Sequence, residues 1–509
     1  MDFFGNLLQG FGVALSPSHL FFAFAGAMIG TAIGVLPGLG TPTTIALLLP
    51  VTYKMEPTSA VIMLAGIFYG AMYGGSTTSI LLNIPGEAAS VVTCLDGYRM
   101  ARIGRAGPAL GISALGSFIA GSIAVLGMSV VAPTLAQFAL KFGPAEYSAL
   151  ILLGLMMAVY LSEGSVLKGL LMLTLGIALG TIGIDPVLGV PRFTFGIPRL
   201  MDGLDYIAAG MGLLGIGEVL VNLETPEVRS VYRTSLRGVL PTVEDWRRCW
   251  GPILRGSVIG FFIGVLPGGG ATISSFVAYA AEKRISRHPE NFGKGVIEGV
   301  AAPEAANNAG STSSFIPLLT LGIPGNASTA MIYVALMIHG IQPGPLLMQE
   351  HPHLFWGVIA SMYVGNAMLL TLNLPLIGFW VRLLKVPYSF LAVFIVTICI
   401  VGAYSLKNAA FDVGVMMVFG VLGYFFRKGG FPAAPMILSM ILGPMLERSL
   451  QQALKMSAGD LWIFAEKPIS AALLLITAIV MLIPVPKWLW KRYRSRPRAE
   501  RPQDEGGME

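Results

Sequence analysis

Apolar runs of about twenty residues succeed one another along almost the whole chain, each long enough to cross a bilayer as a helix. Alternation with a period of two, the mark of an outer-membrane barrel, is absent. Spans are predicted over residues 108–132, 145–162, 166–184, 206–222, 354–381, 388–405, 411–426, 433–450 and 468–485. Two further apolar stretches, His19 to Pro50 and Gly256 to Ala281, are interrupted by clusters of glycine and proline. A break in a lipid-exposed helix strands backbone groups that hydrocarbon cannot satisfy, so such breaks persist only inside protein or beside an aqueous cavity. The expected fold is an all-α polytopic membrane protein of roughly 11–12 transmembrane segments, some broken or re-entrant.

Composition closes off the alternatives. With 54% hydrophobic and 12% charged residues, against about 25% charged in a soluble domain, a soluble enzyme, a disordered chain and a disulfide scaffold are excluded. Cys94, Cys249 and Cys399 are too few for a disulfide framework and read as ordinary thiols. No Lys or Arg precedes Lys54, so a cleaved signal peptide is not expected. The net charge of +6 resides in loops and tail and follows the inside bias of membrane proteins, with nothing to suggest nucleic acid as a partner.

Three motifs recur in the same order. Gly34-Val35-Leu36-Pro37-Gly38-Leu39-Gly40 returns as Gly264-Val265-Leu266-Pro267-Gly268-Gly269-Gly270, an offset of 230 residues. Gly75-Ser76-Thr77-Thr78-Ser79 returns as Gly310-Ser311-Thr312-Ser313-Ser314, an offset of 235, and Ile84-Pro85-Gly86 as Ile323-Pro324-Gly325, an offset of 239. Three matches in one order indicate a duplicated unit. The loop after the first Pro85-Gly86 carries Arg99, Arg102 and Arg105, whereas in the second copy the basic loop, with Lys283, Arg284, Arg287 and Lys294, follows the Leu-Pro-Gly motif instead. Positive loops stay cytoplasmic, so the two copies are expected to be inverted relative to one another. On this scheme residues 1–222 hold the first repeat and its associated helices, 223–252 a cytoplasmic connector, 253–486 the second repeat and its helices, and 487–509 a basic cytoplasmic tail. Thr58 to Cys94 is too long for one span and is expected to be broken, with its hydroxyl cluster at the tip.

Discontinuous helices in duplicated halves are the best sequence pointer to a transporter's substrate site. The helix breaks fall at Gly34, Pro37, Gly38, Gly40, Pro85 and Gly86, and at Gly264, Pro267, Gly268, Gly270, Pro324 and Gly325. Substrate-binding candidates are Ser76, Thr77, Thr78, Ser79, Ser311, Thr312, Ser313 and Ser314, with Asn83, Asn307 and Asn308 as additions. Helix N-termini and hydroxyls donate to an anion without a buried fixed charge. Helix packing by small residues is the competing account of the same glycines. Glu87 and Glu304, ionisable groups at membrane depth, are the candidates for a coupling ion, H⁺ or Na⁺. No other metal and no cofactor is expected. Asp96 reads as a solvated loop charge, Glu163, Asp412 and Glu447 as helix-end charges, and His339, His351 and His353 form no defensible metal site. In the outside loop Asp185 to Asp205, Arg192 and Arg199 are candidate contacts for a partner, unless Arg192 anchors its own loop.

An intramembrane enzyme would need a His-Glu-x-x-His or Gly-x-Ser-x-Gly motif, and a primary pump a phosphate-binding loop; neither is present. A secondary transporter fits best, with a stand-alone carrier or an ion channel for another small anion as the alternative. The motifs quoted above, together with Asp96-Gly97-Tyr98, Arg192-Phe193-Thr194-Phe195-Gly196 and Gly443-Pro444-Met445-Leu446-Glu447, resemble the large membrane subunit, TctA, of the tripartite tricarboxylate transporters, over about Gly26 to Leu450. Gly269 replaces Leu39 of the first copy. The resemblance implies an inner-membrane importer of a tricarboxylate such as citrate, or of a related di- or aromatic carboxylate. It also implies a small four-helix membrane subunit and a periplasmic solute-binding protein as partners.

Overall fold

The computed structural model describes residues 3–36, 40–162, 164–185, 189–224, 238–268, 270–383 and 388–482. Pro37, Gly38, Glu163, part of the connector and the basic tail lie outside these. The described residues are helical apart from short turns and one antiparallel pairing of Gly183–Ile184 with Pro191–Arg192. Seven helices among them are long and apolar enough to cross a membrane, and five shorter ones are apolar. The chain is an all-α polytopic membrane protein. The predicted span 354–381 divides at Pro375 into Pro352–Asn373 and Ile377–Leu383. The predicted span 206–222 contains a π-helical stretch, Met211–Ile216.

The first repeat comprises α1 (Pro17–Val35), α2 (Thr41–Thr52), α3 (Pro57–Leu82) and α4 (Val91–Arg102). It is followed by α5 (Ala106–Ala139) and α6 (Pro144–Tyr160). The second comprises α7 (Val243–Val265), α8 (Gly270–Ile285), α9 (Glu298–Ser313), α10 (Phe315–Leu321) and α11 (Ala327–Ile338). In each, two helices joined by the Leu-Pro-Gly motif form a hairpin, and the next helix packs parallel to the first.

The packing of these parallel pairs is written in small residues. Gly26, Gly30 and Gly34 of α1 lie so close to the carbonyls of Met63, Ile67 and Ala71 in α3 that no Cβ could be accommodated. Gly256, Gly260 and Gly264 of α7 meet Ala302, Ala306 and Gly310 of α9 in the same way. The first members correspond at an offset of 230 and their partners at 239, so the duplication is structural as well as textual. Helices that touch backbone to backbone gain dispersion contacts that lipid cannot replace.

The break expected inside Thr58 to Cys94 lies at Asn83 to Ser90, between α3 and α4, and not at the hydroxyl cluster. Glu56 caps α3 by accepting from the Thr58 and Ser59 amides at 3.0 and 2.7 Å, and the helix runs unbroken for 26 residues to Asn83, whose φ of 60° ends it. Gly66, Gly70 and Gly74 bring it against α1. A helix enclosed on all sides by protein needs no polar face and shows no boundary in its hydropathy. Its hydroxyls, Ser76 to Ser79, therefore sit in the last turns and not at a tip. In the second copy the equivalent path is divided, with Ser311 to Ser314 at the junction of α9 and α10. Asn83 and Gly322, both left-handed, end the two paths at an offset of 239. The hydroxyl clusters, at 235, are thus one helical turn out of structural register.

Between copies the direction reverses. Ser76 of α3 meets Glu304 of α9, while the ring of Phe68, earlier in α3, lies 6.0 Å from that of Phe315, later in the second copy. The two paths cross antiparallel. The basic loop after α4 and that after α8 meet on one face. There Asp96, fully buried, accepts from the Gly293, Gly295 and Val296 amides and from the Tyr279 hydroxyl. Asp96 is therefore no solvated loop charge but ties α4 to the loop after α8. Arg105–Asp245 (2.5 Å), Arg248–Glu298 (2.8 Å) and Arg255–Glu282 (2.6 Å) add further pairs.

Candidate functional site

The polar centre forms where α3, α4, α5 and α9 meet. The Glu304 carboxylate, wholly removed from solvent, accepts from Ser76 Oγ of α3 and from Thr93 Oγ1 of α4. One turn on, Asn308 Nδ2 donates to Ser117 Oγ of α5 at 2.7 Å and to the Glu304 carbonyl at 3.1 Å. The Asn307 side chain, equally buried, has neither amide atom partnered among the described residues. Ser113 of α5 adds a third hydroxyl to the Glu304 carboxylate; a buried carboxylate held by hydroxyls, with no cation paired to it among the described residues, is an expensive arrangement, and such groups cluster where ions or protons are handled.

All three motifs of the first copy converge beside this centre. A Cβ on Gly86 would strike the Gly34 carbonyl, lie 2.6 Å from the Gly75 Cα and 2.8 Å from Thr78 Oγ1. One glycine thus comes from each motif. The second copy is looser: a Cβ on Gly325 would meet nothing nearer than 3.9 Å, and the Gly325 carbonyl accepts from the Gly268 amide at 2.6 Å.

The helix breaks differ in charge. At the N-terminus of α2, Glu87 accepts from the Thr41 amide at 2.9 Å and from its hydroxyl. Glu218 accepts there from Thr43 Oγ1 at 3.0 Å and lies 3.4 Å from the Gly40 amide, with Arg427 at 3.4 Å behind it. Position 326, offset by 239 from Glu87, is asparagine. Both residues cap the helix that follows, with a partner three residues on, Ser90 or Thr329. Asn326 also stands beside Gly270, the first residue of α8, with Nδ2 3.8 Å from where a Gly270 Cβ would be. Two carboxylates occupy one helix N-terminus, and a neutral amide stands at the other.

Of the predicted hydroxyls, Ser76 reaches Glu304 and Ser79 donates to Ser90 at 2.9 Å. Thr78 donates to the Gly75 carbonyl, while Ser311 and Thr312 donate to that of Asn308, Ser313 to Gly310 and Ser314 to Ser311. Thr77 is buried. No hydrogen bond among the described residues joins the two clusters. Asn83 is exposed and lines a cavity at the far end of α3. Thr93, Ser117, Asn326 and Glu218 escaped the sequence reading. Glu218 could have been found as an acid within a predicted span, and Asn326 from its 239-residue offset.

A cavity of about 540 Å³, lined by Tyr147, Arg192, Tyr206, Tyr333, Gln342 and Arg448 among others, opens on the face from which α3 starts. Arg192 is engaged there by Glu447, through two bonds of 2.6 and 3.1 Å, and by Asp185 at 3.2 Å. The Glu447 hydrogen bond raises the guanidinium further above its ordinary range, so it stays charged at any working pH. Arg192 therefore anchors its own loop, whereas Arg199 is exposed. Arg192→Glu should weaken the loop by about 1–2 kcal/mol and speed its proteolysis. Adding Glu447→Arg should restore resistance; equal cleavage of the single variant and the native protein would refute the anchor.

A polytopic bundle with two matched helix breaks around a buried acid is the architecture of a transporter. Residues 20–438 match the family described as the Tripartite tricarboxylate transporter TctA family, and the chain belongs to it. It is 48% identical over 487 residues, 95% of this chain and 97% of the relative, to a protein of Agrobacterium vitis described as an uncharacterized 52.8 kDa protein in the TAR-I ttuC′ 3′ region. It is 49% identical over 228 residues, 44% of this chain and 94% of the relative, to an uncharacterized protein in the TAR-II ttuC′ 3′ region of the same organism. No solved structure matches.

Proposed function

We propose that this chain is the conducting subunit of a binding-protein-dependent secondary transporter in the bacterial inner membrane. It imports a carboxylate by alternating access together with a small four-helix membrane subunit and a periplasmic solute-binding protein. The two repeats are inverted across the membrane, as the antiparallel crossing of α3 with α9 and the meeting of the two basic loops on one face support. That face is cytoplasmic by its charge.

The observation that carries the reading is the unequal pair of helix breaks. A helix N-terminus carries about half a positive charge. At α2 Glu87 and Glu218 outweigh it by about half a charge even with Arg427 beside Glu218, which makes this break the place for the coupling cation, a proton or Na⁺, with Thr41 and Thr43 oxygens as further ligands. At α8 the neutral Asn326 stands beside Gly270, and the N-terminus is left to a substrate carboxylate. Asn307, with two idle amide atoms, and the hydroxyls of Ser311 to Ser314 supply polar groups once the α9–α10 junction opens. Asn326→Asp places a negative charge where the substrate's is expected. At about 4 Å and an effective dielectric of 20 two like charges repel by about 4 kcal/mol, so carboxylate uptake into proteoliposomes containing all three components should fall more than about tenfold. Unchanged uptake and half-saturation would exclude the α8 break as the anion site.

A further inference from the structure

A second cavity, of about 530 Å³, opens at the other end of α3, on the face that carries the basic loops. Its wall is one side of α4. Cys94, Leu95, Tyr98, Arg99 and Arg102 follow helical spacing along it, while Val92, Thr93, Asp96, Gly97 and Met100 point into protein. Asn83, Gly293 and Lys294 close the opposite rim. Arg99, Arg102 and Lys294 make no ion pair among the described residues. Asp96 faces away from the cavity and accepts from the amides of Gly293, Gly295 and Val296, while Glu290, which feels the charge of Lys294, bonds His288 at 3.3 Å outside the lining.

The plain account of Arg99 and Arg102 is that they complement the C-terminus of their own helix. Magnitudes decide against it as the whole explanation. The ends of α3 and α4 at this cavity contribute about half a negative charge each, less than the three cations in its lining, which holds no carboxylate. The volume suits a small ligand. The cavity is also one helix away from the polar centre, because Thr93, which bonds Glu304, precedes Cys94 on the same turn.

We infer that this cavity is a binding site for a small polycarboxylate on the cytoplasmic face, the last station of the substrate before release. The inference rests on the transport reading above, and α4 is then the partition between centre and exit. A lipid phosphate offers similar oxygens, so the test must separate the two sources. Cys94 is a native reporter: it is half-buried in the cavity wall, whereas Cys249 and Cys399 are buried.

Inside-out membrane vesicles carrying the full chain with its partner subunits are treated with a negatively charged methanethiosulfonate, and Cys94 modification is timed by mass spectrometry. Saturating citrate should slow it about tenfold, and inorganic phosphate should slow it far less. Arg99→Gln/Arg102→Gln, two exposed positions, should abolish the protection. No protection by citrate, equal protection by phosphate, or protection that appears only on adding phosphatidylglycerol and ignores citrate would each overturn the site. Carboxylate flux is measured in the same vesicles. Flux without protection sinks this inference alone, and protection without flux sinks the transport reading alone.

Discussion

Gly86→Ala is expected to deprive the protein of a stable fold, while Gly325→Ala, its counterpart in the other copy, is expected to be close to neutral. The methyl group at position 86 would meet the Gly34 carbonyl and the Gly75 Cα, both backbone, in a place where no side chain can swing aside. Relief requires α1 and α3 to separate, and their contact is the glycine ladder that defines the repeat. Overpacking in a core costs about 1–3 kcal/mol where side chains can adjust; here the upper end is the expected minimum. At Gly325 the nearest atoms lie at 3.9 Å, ordinary contact distance. Thermal unfolding of both variants in detergent measures the difference. Equal midpoints would show that the three glycines are not locked together.

Glu304→Gln should leave the fold intact and remove coupled uptake. The amide has nearly the shape of the carboxylate, and Ser76 and Thr93 can each turn to donate or accept. What is lost is the capacity to change charge at the polar centre, which on the proposed mechanism the coupling cation visits besides the α2 break. A site that cannot change charge cannot carry the coupling ion, so gradient-driven carboxylate uptake should fall by at least about tenfold. Exchange of labelled for unlabelled substrate, which needs no net ion movement, should persist. Wild-type uptake with unchanged ion dependence would make Glu304 a polar plug and nothing more.

The spans were readable because lipid imposes length and apolarity on each segment independently of its neighbours. The duplication was readable because three local motifs kept their order. The continuity of α3 was hidden for the opposite reason: its surroundings are protein throughout, and only contacts with α1 decide where it can run. Likewise the pairing of Arg192 with Glu447 joins residues 255 positions apart, and that of Thr93 with Glu304 residues 211 apart. Charge alone could nominate Arg192 and Arg199 as docking residues; it could not show that Glu447 had already claimed one of them. Asp96 was misjudged because neighbouring Arg99 suggested a solvated pair, whereas its ligands are main-chain amides, which leave no trace in residue type.

The one-turn displacement between the hydroxyl clusters bears on how the two halves diverged. A move of four residues along a helix turns a side chain through only about 40° beyond a full revolution. A polar tetrad can therefore migrate by a turn and still look toward the same neighbours, while a move of two would swing it to the far side. Duplicated membrane units are in this sense free to drift in whole turns and held against anything smaller. Ancestral residues are then to be paired by their caps and their glycine contacts. Pairing them by the most similar words in the text would align Ser76 with Ser311, when the position it inherited is that of Phe315.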